Sequence, residues 1–163
     1  MSPYQDAVSV LEAGIAQMVG SVLAEGEAAH VLQVVGHLRE PVVPENINAH
    51  LVATASARAV IGFVYARAKK LVSEAKNCLD ITYARQYNGA RLSYEGRGKR
   101  PNVDFFKHHA LLHSDHITAQ HQLSQCEYNR DLLKEIRDAF ADRSRQLEQI
   151  SNNLRFEARL DQE

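Results

Sequence analysis

Between Pro44 and Tyr94 the chain has no proline after its first residue and just two glycines, Gly62 and Gly89. Proline ends a helix by removing a donor and clashing with the preceding turn, and glycine weakens one entropically. A run this free of both, with no two-residue alternation, predicts one continuous helix from about Pro44 to about Tyr94. At 1.5 Å per residue it would be roughly 70 Å long. Within it Ile61, Val64, Ala68, Leu71, Ala75, Cys78 and Thr82 recur three and four apart. That spacing is a heptad seam, and its small residues imply a closely approaching partner helix.

The remaining segments follow the same period. From Asp6 to about Arg39, Val8, Leu11, Ile15, Met18 and Val22 mark a helical face, which Gly14, Gly20, Gly26 and Gly36 interrupt. The two prolines in Arg39-Glu40-Pro41-Val42-Val43-Pro44 make a linker. Two glycines, a proline and three cations over 95–102 make a loop. A third helical segment begins near Val103-Asp104 and breaks near Ser114-Asp115. A last one, Thr118 to Leu160, carries Leu133, Ile136, Phe140, Leu147, Ile150 and Leu154 at heptad spacing, with Arg143 as an interruption. The expected fold is all-α, with long helices in an elongated hairpin or coiled-coil arrangement that assembles as a helical homo-oligomer. The expected organisation is an N-terminal helical segment, 1–40, and a second domain, 41–163, with the basic loop at 95–102.

Charge is the most informative part of the composition. The net charge is −1, but residues 1–50 sum to −5, 51–100 to +7 and 101–163 to −3. A concentrated positive block is rewarded by counter-ion release from a phosphate backbone. It could equally meet the acidic flanks of another subunit. No uncharged stretch is longer than the twelve residues of Ala13 to Ala24. A membrane span needs roughly 20, so no membrane association is expected. The N-terminus lacks the positive region of a signal peptide. Cys78 and Cys126 have no partner at metal-ligand spacing, and both fall in helical patterns. They read as reduced, partly buried thiols of a cytosolic protein.

On the long helix a second stripe runs Arg58, Tyr65, Lys69, Lys76, Tyr83, Tyr87, Arg91, Tyr94. Cations for phosphates, interleaved with flat rings for bases, are the means of binding single strands without sequence preference. The other reading is a solvated face whose tyrosines lie against a neighbour. His108, His109, His113, His116 and His121 crowd one region, and three of them could share a helix face. Without a nearby cysteine or a His-Glu-x-x-His motif they read as surface or interfacial histidines, not as a metal site. No nucleophile elbow, phosphate loop or kinase signature is present. The reading is therefore of a protein that is not an enzyme and needs no cofactor.

Ala90-Arg91-Leu92-Ser93-Tyr94 followed by Gly96-Arg97-Gly98, at the end of a long basic helix, resembles the UvsY-type recombination mediators of T-even-like phages. Asp142-Arg143-Ser144-Arg145, Ile150 and Leu154-Arg155-Phe156-Glu157-Ala158 resemble that family's closing helix. The likeness spans roughly Pro44 to Ala158. It departs at Gly89, where the family has a basic residue, and at Glu95, where it has an aromatic. The first forty residues have no counterpart. The resemblance implies a ring-like homo-oligomer in the cytoplasm of a bacterial host. It would bind single-stranded DNA and help a RecA-like recombinase displace the single-strand-binding protein, hydrolysing nothing itself. On that reading Arg91, Arg97, Lys99, Arg100, Lys76 and Lys69 contact phosphates, and Tyr87 and Tyr94 stack on bases. The competing expectations are a helical protein-interaction module, such as an adaptor or host-protein inhibitor, and a structural assembly protein of a phage particle.

Overall fold

The computed structural model describes residues 3–18, 20–98 and 101–160. These form five α-helices and two 3-10 turns, and no strand is found among the described residues. The helices are α1 (Pro3–Gln17), α2 (Glu25–Gly36), α3 (Ile47–Glu95), α4 (Val103–Leu112) and α5 (Ser114–Leu160). The 3-10 turns are His37–Arg39 and Pro44–Asn46. The all-α class is as expected, and the breaks fall where the residues dictate. Gly20 adopts φ +83°, a left-handed conformation that separates α1 from α2. At the start of α2 the Ala24 N–H donates to Glu27 Oε2 at 2.9 Å. Before α3 the Val43 N–H donates to Asn46 Oδ1 at 3.0 Å. Both bonds satisfy a donor that the helix start would otherwise orphan.

The chain divides into two compact units, Met1–Ala68 with Asn129–Glu163, and Lys69–Tyr128. The core of the first is apolar and helical in register. Ile15, Met18, Leu23, Val35, Leu38, Ile61, Leu133, Ile136, Phe140 and Leu147 are all less than 3% exposed. Burial of such side chains contributes about 1.5–3 kcal/mol each. The expected boundary at 40–41 falls inside this unit. Within the first forty residues Arg39 pairs with Glu12 at 2.6 Å. Arg67 pairs with Glu27 at 2.8 Å. Asn129 reaches Ser21. The first forty residues are thus fastened to α3 and α5.

Arg143 explains why the apolar seam of α5 is interrupted. It is buried, at 8% exposure. Its Nη1 donates to the Leu38 carbonyl at 3.1 Å and its Nη2 to the Glu40 carbonyl at 3.0 Å. These acceptors lie within and just after the 3-10 turn His37–Arg39, where no helical ladder continues to satisfy them. His50, also buried, lies 3.5 Å from the same guanidinium.

The seam of α3 differs from the heptad expectation. Ile61, Val64 and Ala68 are buried as expected, but burial then passes to Val72, not Leu71, and reaches Ala90. Cys78 is exposed, which corrects the expectation of a partly buried thiol. The reason is geometric. A straight helix turns every 3.6 residues and drifts from a 3.5-residue repeat by about 20° per heptad. Over so long a helix the drift carries Cys78 off the covered face. The same happens in α5, where Ser151 is buried and Ile150 is exposed. By length and composition alone, Pro44–Glu95 is apolar enough to cross a membrane: an 18-residue window reaches mean hydropathy 1.3, with 33% of it buried. Mean hydropathy meets that criterion although no uncharged run exceeds twelve residues.

Candidate nucleic-acid interface

The second unit gathers the positive charge. It holds nine Lys or Arg against six Asp or Glu, a net of +3. The first unit holds ten against fourteen, a net of −4. The second unit is built from the C-terminal half of α3, the loop, α4 and the start of α5.

Local sequence sets its geometry. At the end of α3 the Gly96 N–H donates to the Leu92 carbonyl at 3.0 Å, and Gly98 takes φ +69°. That left-handed residue turns the chain. Pro101 follows, and Asn102 caps α4 by accepting from the Asp104 and Phe105 N–H groups at 2.6 and 3.0 Å. The short α4 buries Phe106 and Ala110. At its far end His113 alone is extended, with φ −70° and ψ 139°. Its Nδ1 accepts the Asp115 N–H at 3.3 Å and its carbonyl accepts the Ile117 N–H at 3.1 Å, which starts α5.

The tyrosines of α3 meet the phenylalanines of α4. Tyr94 lies edge-on to Phe105 and Phe106, with ring centroids 5.1 and 6.0 Å away. Tyr87 lies edge-on to Phe106 at 6.0 Å and stacks with Tyr83 at 6.2 Å. Tyr83 in turn touches buried His116 at 5.8 Å. Such pairs each contribute about 0.5–1.5 kcal/mol beyond area burial. Tyr87 and Tyr94 are therefore half-buried members of an aromatic cluster within the protein, each with part of its surface in solvent. The phenylalanine pair was not singled out in the sequence. Its signal was Phe105-Phe106 directly after a capping asparagine.

Beside this cluster is an open groove of about 690 Å³. Tyr87, Arg91, Glu95, Gly98, Pro101 and Phe106 are among the residues that line it. Arg91 is exposed and donates from Nε to Glu95 Oε1 at 2.9 Å, four residues on. That hydrogen bond holds the guanidinium above its ordinary pKa. Arg97 is exposed on the turn. Lys99 and Arg100 lie outside the described residues. Lys76 is exposed and stands 3.9 Å from Glu127, and Lys69 is exposed on the same helix. Arg91 thus lines the groove together with Tyr87, and Arg97 follows on the turn, whereas Lys76 and Lys69 stand about four and six turns of α3 before Arg91.

The histidines are dispersed. His109 and His113 rings are 6.3 Å apart, His108 Nδ1 bonds the Asp104 carbonyl at 2.7 Å, and His116 is buried. Among the described residues no group of three His, Cys, Asp or Glu is placed to hold a metal ion. Burial pushes the Cys126 thiol above its ordinary pKa.

No family model, no curated protein and no solved structure matches this chain.

Proposed function

We propose that this chain is a non-enzymatic, single-stranded-DNA-binding recombination mediator. It works as a ring-like homo-oligomer with its helices paired in coiled-coil fashion, and helps load a RecA-like recombinase in place of single-strand-binding protein. The observation that carries the DNA-binding part is the exposed Arg91 on an open groove lined by Tyr87 and Phe106, with exposed Arg97 on the turn that follows, in the positively charged unit of an otherwise acidic chain. Guanidinium groups serve phosphates without regard to sequence, and the partly exposed Tyr87 ring offers apolar contact to bases. The recombinase role rests on the likeness of Ala90–Gly98 and Asp142–Ala158 to the mediator family. Exposed Val52, Phe63, Phe156 and Leu160 support self-association.

The test is fluorescence-anisotropy binding to a labelled oligo-dT strand across a salt series, with light scattering on the same sample. Salt-sensitive binding by a defined oligomer, weakened and flattened in R91Q/R97Q/R100Q, is expected. No binding at low salt removes the reading.

A second reading, a helical protein-interaction module, is favoured by one observation. An open, mostly apolar groove of about 450 Å³ in the first unit is lined by Val31, Val60, Phe63 and Val64, with Phe63 68% exposed. Failure to retain any oligonucleotide at moderate salt would turn the search toward a partner for that groove.

A further inference from the structure

We infer that Glu95 is an attenuator of phosphate binding, an acidic residue built into the groove that competes with the DNA backbone for Arg91. This rests on the DNA-binding reading given above.

Glu95 is the one acid between Ile81 and Val103, a span that holds Arg85, Arg91, Arg97, Lys99 and Arg100. Its carboxylate lines the same groove as the Arg91 guanidinium and is bonded to it at 2.9 Å. A phosphate oxygen seeking the Arg91 Nε–H must displace that bond, and must then sit beside a like charge in the same groove.

Helix stability does not account for the residue. Glu95 occupies the last turn of α3, where the helix dipole is negative and an acid is unfavourable. An arginine four residues N-terminal to a glutamate is also the weaker orientation of such a pair. Both side chains are about half exposed, at 55% for Arg91 and 49% for Glu95, so the pair is screened and easily opened. A carboxylate placed against the dipole, among cations and on the wall of the groove, is suited to keeping strand affinity modest. A protein that must hand its strand to another needs that property.

The experiment compares wild type, E95Q, R91Q and R91Q/E95Q by anisotropy on labelled oligo-dT across a salt series, with thermal melting of each. E95Q is expected to bind roughly two- to fivefold tighter at low salt. Its log–log salt slope should steepen by about 0.7, one added phosphate contact on a single strand. Its melting temperature should be equal or higher. In the R91Q background the gain from E95Q should shrink, because the cation that Glu95 holds is gone. Wild-type binding with E95Q equal or weaker overturns the inference and leaves the DNA-binding reading standing. Absence of binding by wild type and E95Q alike overturns both.

Discussion

Arg143 donates to the backbone carbonyl of Leu38, 105 positions earlier in the chain, from a side chain that is 8% exposed. A charged donor stands in an apolar seam and satisfies carbonyls of the 3-10 turn and of the proline linker that follows it. Replacing it with methionine keeps the volume and removes the donors, leaving the Leu38 and Glu40 carbonyls unpaired. R143M should lose about 3 kcal/mol of stability in urea denaturation. An unchanged midpoint would show that water satisfies the linker.

Glycines that look alike in sequence differ in surroundings. A Cβ on Gly14 would stand 2.1 Å from Leu132 Cδ2, inside a buried contact. G14A should therefore cost about 1–3 kcal/mol through overpacking. A Cβ on Gly62 or Gly89 meets nothing within 4 Å. G62A and G89A should each raise stability by about 0.5–1 kcal/mol, the helix-propensity difference. Thermal melts of the three variants decide it.

Glu27 links α2 to α3 by accepting from Arg67 at 3.0 and 2.8 Å. The Arg67 hydrogen bonds, then the Ala24 N–H, hold its carboxyl below the ordinary value of 4.5. A depressed carboxyl stabilises the fold fully above its unfolded value, and loses that contribution as pH falls through the folded value. Stability should therefore decline below about pH 4.5, and the decline should be shallower in E27Q than in wild type. Parallel acid limbs in urea-midpoint measurements would remove Arg67 as the cause.

Cys78 is exposed on α3, and Cys126 is partly covered, with its thiol pushed up by burial. Alkylation follows thiolate fraction and access. Iodoacetamide at mildly alkaline pH should modify Cys78 clearly faster than Cys126, as peptide mass mapping would resolve. Equal rates would mean that Cys78 is covered in solution, as a neighbouring helix or a second copy would cover it.

Helix placement was legible because proline and glycine act locally: α3, the 95–102 loop and the break before Ser114 all sit where those residues and the apolar period place them. The covered face was legible only near the anchor of the pattern. From Ile61 to Ala68 a heptad and a straight helix agree; by Cys78 they do not, and no single residue marks the divergence. Arg143 showed only as a gap in a seam, because its partners are backbone atoms that carry no sequence signal. Arg91 at the groove and Arg97 on the following turn were readable as exposed cations on a basic stretch. Glu95 stands out in the sequence only as a departure from a family pattern. The pairing of Tyr94 and Tyr87 with Phe105 and Phe106 needed the α3–α4 turn to be known first.

His113 separates α4 from α5 by one residue. Its extended backbone ends α4, and its ring accepts the Asp115 amide that opens α5, so one residue is the stop of one helix and the start of the next. With a single residue between them, the two helices have no slack in which to shift register independently.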